Sequence, residues 1–356
     1  MRIGVPKEIK VEEHRVGLTP ESVRALSARG HEVLVQSGAG AGIDASDEGY
    51  RAAGAAIATS PAEIFSAAEL VVKVKEPLAP ERALLRPGQG LFTYLHLAPD
   101  PEQARELIAS GAIAIAYETV TAAGGGLPLL APMSEVAGRM AVQVAAHFLE
   151  RAHGGRGVLL SGAAGVAGAD LLVLGAGVVG SNAAGLAARM GARVIVLGRS
   201  EGSDPVKVAA AVQEADVVIG AALIPGALAP KLVTREMLRT MRPRALLIDV
   251  SIDQGGCFET SRPTTHADPV YAVEGILHYC VANMPGAVPR TSSYALNRAT
   301  LPFVLALAER GIAGALEADP HLREGLAVCR GAVTRPELAS LLGRPYVAPA
   351  EALAAG

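Results

Sequence analysis

The chain has 356 residues, of which 50% are hydrophobic and 19% charged. That length exceeds one ordinary domain and suits two, and so large an apolar fraction excludes a disordered chain. The formal net charge of -3 argues against a nucleic-acid partner. Three scattered cysteines, Cys257, Cys280 and Cys329, form neither a disulfide framework nor a metal-ligand cluster, which favours a reducing compartment.

One uncharged stretch, 171–188, is long enough to raise the question of a membrane span. Its glycines and polar residues divide it into a short strand, a turn and the start of a helix. Near the N-terminus, Pro6, Lys7 and Glu8 interrupt any apolar run of the secretory type. We therefore expect a cytoplasmic protein without a membrane partner.

Short apolar runs alternate with amphipathic segments through the first 130 residues. We predict a helix over 20–29. We predict strands over 2–5, 31–36, 70–74, 91–94 and 113–117. This βαβ order predicts a mostly parallel sheet with helices on both faces, because doubly buried strands consist of continuous apolar runs.

The pattern changes from Pro132, where Ser134 is predicted to N-cap a long helix reaching about His153. A second βαβ series follows, and the chain becomes helical again from about Tyr294. Its predicted strands are 171–174, 193–197, 217–220 and 245–250. We predict an α/β fold with two Rossmann-like domains. The dinucleotide-binding domain, 131–290, is inserted into a substrate domain made of 1–130 plus 291–356.

A glycine motif of the form GxGxxG, with Gly175, Gly177 and Gly180, follows an apolar strand and opens a helix. These glycines allow a tight turn, close approach of a pyrophosphate and close helix packing. The motif therefore predicts dinucleotide binding. An S-adenosylmethionine site on a similar fold and a simple tight turn are the alternatives.

The end of the next strand departs from this pattern. An acid is expected there for the ribose hydroxyls, but the chain has Gly198, Arg199 and Ser200. An arginine and a serine at this corner leave NADP open beside NAD. The segment that follows, up to Asp216, holds one helix where a helix, a strand and a further helix are expected. We predict that one helix-strand unit is missing at the sheet edge.

Polar clusters at three strand ends suggest a substrate site. Arg15 follows the first strand, Lys75 ends another, and His96 ends a third. Ligands of parallel sheets bind at the carboxyl ends of strands. Cations suit a carboxylate substrate, and histidine suits proton transfer near neutral pH. Taken alone, a histidine at a strand end is more often structural.

The chain resembles the alanine dehydrogenase family along nearly its whole length. The matching stretches are 2–8, 15–20, 73–77, 94–97, 117–120, 127–139, 253–257, 262–265 and 281–285. The related transhydrogenase α-subunit fits less well around His96 and around 253–256. The resemblance implies reversible oxidative deamination of L-alanine to pyruvate and ammonium, with hydride passing to NAD, in a homohexamer.

The resemblance also implies roles for individual residues. Arg15 and Lys75 would bind the substrate, and His96 and Asp253 would be catalytic. The implied cofactor contacts are Ser134, Gly175, Gly177, Val178, Val179, Gly180, Gly198, Arg199, Ser203, Ala222, Leu223, Val250, Ser251, Ile252, Arg262, Val281, Ala282, Asn283 and Met284. The placement of Ser203 depends on where the missing unit is aligned.

Departures from the family leave alternatives open. The family carries an Asp where this chain has Gly198, and the metal-binding Glu and His of some members correspond here to Ala306 and Arg310, so we expect no metal. A non-catalytic relative that holds dinucleotide poorly is one alternative. A transhydrogenase-like subunit with membrane partners is another.

Overall fold

The computed structural model describes residues 1–222 and 228–355. In chain order the strands are β1 (Arg2–Val5), β2 (Glu32–Gln36), β3 (Ala56–Ala58), β4 (Leu70–Val72), β5 (Gly90–Thr93), β6 (Ile113–Ala116), β7 (Asp170–Leu174), β8 (Arg193–Leu197), β9 (Val217–Gly220), β10 (Leu246–Asp249), β11 (Val270–Val273), β12 (Ile276–Tyr279), β13 (Leu326–Cys329) and β14 (Ala332–Val333).

The α-helices are α1 (Pro20–Ser27), α2 (Asp47–Ala52), α3 (Pro61–Ala67), α4 (Ala79–Arg82), α5 (Pro101–Ser110), α6 (Ala131–Phe148), α7 (Val178–Arg189), α8 (Arg199–Gly202), α9 (Pro205–Glu214), α10 (Arg235–Leu238), α11 (Pro289–Arg310), α12 (Ile312–Ala318), α13 (Pro320–Arg323), α14 (Pro336–Leu342) and α15 (Pro349–Ala354). Short 3-10 turns lie at Ala41–Ile43, Tyr117–Thr119, Arg151–His153, Ile252–Gln254 and Met284–Ala287.

The chain divides into two compact units. The outer unit is Met1–Met133 with Val288–Gly356, and the inserted unit is Ser134–Ala287. Each unit is built on one mostly parallel sheet, so the predicted α/β fold with two Rossmann-like domains is confirmed. We predict that 1–130 plus 291–356 form the substrate domain and that 131–290 form the dinucleotide-binding domain.

The sheet of the outer unit has the strand order β14-β13-β6-β5-β4-β1-β2-β3. Strands β1 to β6 pair in parallel, and β13 adds to β6 antiparallel. Strands β4, β5 and β6 are buried along their whole length, as expected for strands covered on both faces. Three adjacent strands, β5, β4 and β1, are followed by the loops that carry the predicted substrate residues.

Several helices begin where a capping side chain precedes a proline. Thr19 accepts a hydrogen bond from the Ser22 N–H before α1, and Asp204 accepts from Val206 and Lys207 before α9. The proline that follows each cap has its φ preset and lacks only an N–H that the first helical turn leaves unpaired. Helix α6 differs from prediction, because it begins at Ala131 and ends at Phe148, so Ser134 lies inside it.

The sheet of the inserted unit has the order β11-β12-β10-β9-β7-β8. All its pairs are parallel except β11 with β12. In the described residues β8 is an edge strand, as expected if the outermost helix-strand unit is missing. Ile195 and Val196 of β8 are accordingly 53% and 38% exposed.

The uncharged stretch 171–188 folds as β7, a turn and most of α7. Within the described ranges no single helix is long and apolar enough to cross a membrane; α11 and α12 meet that criterion only as a pair, bent by 117°.

Candidate active site

The glycines of the turn between β7 and α7 differ in what a Cβ at each position would contact. Gly175 has a φ of +111°, and a Cβ there would lie 2.5 Å from the Ala221 carbonyl oxygen. A Cβ at Gly180 would lie 1.8 Å from the Gly175 carbonyl oxygen. These two glycines are therefore required by the backbone itself.

Gly177 is different, because a Cβ at that position would meet no atom within 4 Å. It caps the 12-residue helix α7 in an extended conformation, so the N–H groups of the first helical turn border open space. Space in front of a helix N-terminus suits a pyrophosphate. The turn therefore fits the dinucleotide that the sequence predicts.

Helices α6 and α7 cross closely beside this turn, since a Cβ at Gly138 would lie 2.3 Å from the Val179 carbonyl oxygen. Ser134 lies half-buried in α6, and Val178 is 45% exposed at the start of α7. Ala222 accepts a hydrogen bond from the Ser251 hydroxyl at 2.7 Å. Leu223 lies outside the described residues.

The corner after β8 is exposed and short. Gly198 donates its N–H to the Glu201 carboxylate at 3.2 Å, and Ser203 donates its hydroxyl to the Ser200 carbonyl at 3.0 Å. Arg199 begins α8 with its side chain exposed. Glu201, three positions beyond Gly198, therefore places a carboxylate at this corner that was missed among the predicted cofactor residues.

A buried carboxylate organises the loop after β10. Asp249 is fully buried and accepts hydrogen bonds from the N–H groups of Ser251 at 3.1 Å and Cys257 at 2.9 Å, and from the Ser261 hydroxyl. Burial raises its pKa, while the hydrogen bonds oppose that shift. These contacts fix the loop that presents Asp253 to solvent within the 3-10 turn Ile252–Gln254.

The other predicted cofactor residues that follow β10 differ in their burial and contacts. Val250 is half-buried, and Ser251 and Ile252 are buried. Arg262 stacks its guanidinium over the Tyr271 ring, 4.1 Å from the ring centroid. In the last segment Val281 and Met284 are buried, Ala282 donates to the Thr264 carbonyl at 3.3 Å, and Asn283 has a φ of +58°.

In the outer unit, Arg15 is buried and paired with Glu13. Its Nε and Nη2 atoms donate to the two carboxylate oxygens at 2.7 and 2.6 Å, and its backbone N–H adds a third bond at 3.0 Å. Nη1 lies 3.1 Å from the Met133 sulfur. Burial alone would lower the pKa of Arg15, but the bonds to Glu13 outweigh it, so the cation is secured.

Lys75 is buried at the end of the segment that follows β4, and its surroundings are tied together by a second acid. The Glu8 carboxylate accepts from the Val74 N–H at 2.7 Å and from the Lys73 ammonium at 3.0 Å. Burial raises the pKa of Glu8, and Lys73 opposes that rise. Lys73 is fully buried and also donates to Glu81 at 2.6 Å, so it is structural.

His96 follows β5 in a strained backbone conformation with a φ of +46°. Its backbone N–H donates to a Glu118 carboxylate oxygen at 2.7 Å, and its imidazole Nδ1 lies 4.0 Å from the same oxygen. The imidazole stacks parallel to the Tyr94 ring, with centroids 5.8 Å apart. The side chain remains 43% exposed, so it is positioned by protein groups and still open to a ligand.

The structure thus places Arg15, Lys75 and His96 after three adjacent strands of one sheet. Asp253 and the predicted cofactor contacts other than Leu223 belong to the inserted unit. The supporting acids Glu8, Glu13 and Glu118 were missed as functional residues. Glu8 and Glu118 lie within the matching stretches 2–8 and 117–120, which could have identified them.

The described residues contain one group of side chains with metal-ligand chemistry, His147, Glu150 and His153, whose ligand atoms lie within 4.8 Å of one another. All three are exposed, and the centroids of the two imidazole rings lie 3.8 Å apart with the ring planes inclined by 35°. Ala306 and Arg310, at the metal-binding positions implied by the resemblance, carry no metal-binding group of that kind.

Two family models together match most of the chain. The family model "Alanine dehydrogenase/PNT, N-terminal domain" matches residues 4–137. The model "Alanine dehydrogenase/PNT, C-terminal domain" matches 141–204 and 199–336, so the match is split at the short connection after β8.

Among relatives, the alanine dehydrogenase of Halomonas elongata is 54% identical and covers 98% of each chain. A solved L-alanine dehydrogenase superposes with a TM-score of 0.90 at 46% identity, covering 96% of this chain and 99% of that one. A transhydrogenase from Sinorhizobium meliloti superposes with a TM-score of 0.81 at 27% identity, covering 94% and 99%. The chain therefore belongs to the alanine dehydrogenase/PNT family.

Proposed function

We propose that this protein is an L-alanine dehydrogenase, which reversibly converts L-alanine, water and NAD+ into pyruvate, ammonium, NADH and a proton. The observation that carries this proposal is the buried Arg15–Glu13 pair and buried Lys75 beside an exposed, strained His96, in a chain 54% identical to an alanine dehydrogenase. The outer unit is then the substrate domain, and the inserted unit is the dinucleotide-binding domain.

The substrate side requires a carboxylate clamp and a proton shuttle. Arg15, held by Glu13 on one edge, supplies a permanent cation for the alanine carboxylate, and Lys75 supplies a second donor for the carboxylate or the carbonyl oxygen. His96 accepts and returns protons as water adds and ammonium leaves, with its backbone fixed by Glu118. By resemblance to the family, Asp253 is assigned to assist these water and ammonia steps.

The cofactor side is supported by the glycine turn and its neighbours. A bound NAD would supply the hydride acceptor of the reaction through its nicotinamide ring. The N–H groups after Gly177 border space that fits the pyrophosphate. We assign as further cofactor contacts Ser134, Val178, Val179 and Ala222, together with 250–252, Arg262 and 281–284; Leu223 lies outside the described residues. The cofactor is NAD, and the NADP alternative raised by Gly198, Arg199 and Ser200 is not borne out.

We also propose that the protein works in the cytoplasm as a homo-oligomer, a hexamer by family resemblance. The buried cysteines Cys257, Cys280 and Cys329 are free thiols, which agrees with a reducing compartment.

The test measures NADH formation from L-alanine and NAD, and NADH consumption with pyruvate and ammonium, with NADPH assayed separately. We expect turnover with NAD(H) by the wild-type protein. We expect His96→Ala to lower kcat by about 10²–10⁴-fold with unchanged NADH binding. The matched control is His153→Ala, which alters an exposed histidine of the inserted unit. A wild-type protein without turnover would support the non-catalytic alternative and overturn this proposal.

A further inference from the structure

The nucleotide site lacks the acid that a dinucleotide-binding fold places at the end of its second strand. That acid accepts hydrogen bonds from the ribose hydroxyls of the adenosine half. Here β8 ends at Leu197 and the next residue, Gly198, has no side chain. A chain that uses NAD therefore needs another acceptor at this corner.

Glu201 supplies a carboxylate in the space that the missing side chain would enter. Its Oε2 atom accepts the Gly198 N–H at 3.2 Å. The same oxygen lies 3.6 Å from the position that a Cβ of residue 198 would occupy. That Cβ position is 3.9 Å from the Cβ of Ala176, which belongs to the glycine turn. The Cβ position of residue 198 is thus close to both the Glu201 carboxylate and the glycine turn.

The start of α8 holds Glu201 in this position, because Glu201 is the third residue of the helix and its side chain accepts the N–H of the N-cap residue Gly198. The Gly202 N–H donates to the Gly198 carbonyl at 2.7 Å, and Gly202 is buried. Helix α8 covers only Arg199–Gly202 before α9 begins at Pro205. The family-model match is split at 199–204, so Glu201 lies in the segment where this chain departs from the family pattern.

We propose that the Glu201 carboxylate replaces the missing acid, accepts hydrogen bonds from the adenosine ribose hydroxyls of NAD and rejects NADP. This inference rests on the proposed function. A carboxylate at this corner repels the 2′-phosphate of NADP, because binding would bring the two negative charges close together. This repulsion opposes the attraction that Arg199, exposed on the same turn, would offer a phosphate.

The test is fluorescence titration of NADH and NADPH, without alanine, against wild type and Glu201→Gln. Glutamine keeps an oxygen for the Gly198 N–H, so the turn is retained while the charge is lost. We expect NADH to bind about tenfold or more weakly, because hydrogen bonds to a charged acceptor are the strong ones. NADPH binding should be unchanged or tighter. Glu236→Gln, an exposed glutamate of the same unit, is the matched control and should change neither.

A rescue separates the ribose contact from a structural effect. Gly198 has an extended backbone with φ -72° and ψ -172°, which any residue adopts, so Gly198→Asp can restore a carboxylate. In the Glu201→Gln background we expect this change to restore NADH binding and the preference over NADPH. An unchanged NADH-to-NADPH affinity ratio in Glu201→Gln would overturn this inference alone. A wild-type protein that binds neither dinucleotide would overturn the proposed function with it.

Discussion

The contact between Glu118 and the backbone of His96 offers a direct test of how the outer unit positions His96, the proton shuttle that we propose. Glu118 accepts the N–H groups of His96 at 2.7 Å and of Leu95 at 3.2 Å, and its side chain is only 16% exposed. His96 holds a left-handed φ of +46°, which is unfavourable for a residue with a Cβ. The carboxylate is therefore the group that stabilises this conformation.

The size of the effect follows from these two opposing contributions. Each hydrogen bond to a charged acceptor contributes about 1.5–3 kcal/mol, whereas a strained backbone costs about 1–3 kcal/mol. Glu118→Ala removes both bonds and leaves the strain without compensation. The population with His96 in its active position should then fall about 5- to 150-fold, and kcat/KM for alanine should fall with it.

The assay is steady-state oxidation of alanine, with NADH binding measured separately. We expect Glu118→Ala to lower kcat/KM for alanine while NADH affinity stays at the wild-type value. Glu118→Gln keeps one acceptor oxygen and should be intermediate, and Glu102→Ala, an exposed glutamate on α5, should match wild type. A folded Glu118→Ala protein with kcat/KM within about twofold of wild type would show that the strain estimate is wrong.

Two further predictions concern the inserted unit. Gly180→Ala places a Cβ 1.8 Å from the Gly175 carbonyl oxygen, so the turn must shift. NADH binding, measured by fluorescence titration, should then weaken about tenfold or more. The control is Gly185→Ala on the same helix, where the nearest atom to the new Cβ is 3.7 Å away, and it should leave NADH binding intact. Equal NADH affinity in both variants would contradict the crowding argument. The second prediction concerns Asp170, whose pKa is lowered by hydrogen bonds from Arg193 and Arg242. The Asp170 carboxylate therefore stabilises the fold at a pH above its unfolded-state pKa. This stabilisation is lost as the pH falls through the folded-state pKa. Asp170→Asn should therefore lower the free energy of unfolding in urea by about 1–3 kcal/mol at neutral pH, with the difference vanishing in acid; a difference that persists in acid would refute this assignment.

The glycine turn and most of the parallel strands could be predicted because a continuous apolar run marks such a strand in the sequence, but the parallel strands β3 and β12 were not predicted. The strands predicted at 193–197 and 217–220 coincide with β8 and β9. The two-residue strand β14 was not predicted, since so short an antiparallel edge has no periodicity to detect. The start of α6 was predicted four residues late, at 135 after the N-cap Ser134, whereas Pro132 already occupies the first turn of the helix.

The supporting contacts of the site could not be read from the sequence, for a physical reason. Glu8 contacts Lys73 and Val74 through tertiary folding across more than sixty positions. The bidentate pairing of Glu13 with Arg15 depends on a loop conformation that places residues two apart on the same side. Residue type and spacing identify the cations, but the backbone decides which acids hold them.

The position of the missing unit explains why the nucleotide site can survive its loss. The glycine turn follows β7, which is hydrogen-bonded on both sides, to β8 and to β9. Removing a strand beyond β8 takes no partner from β7, so the turn, its close Gly175–Gly180 contact and the start of α7 keep their support. The loss instead leaves β8 uncovered, so its Ile195 and Val196 remain exposed. It also affects the corner that binds the ribose, where we propose that Glu201 supplies the acid expected at position 198.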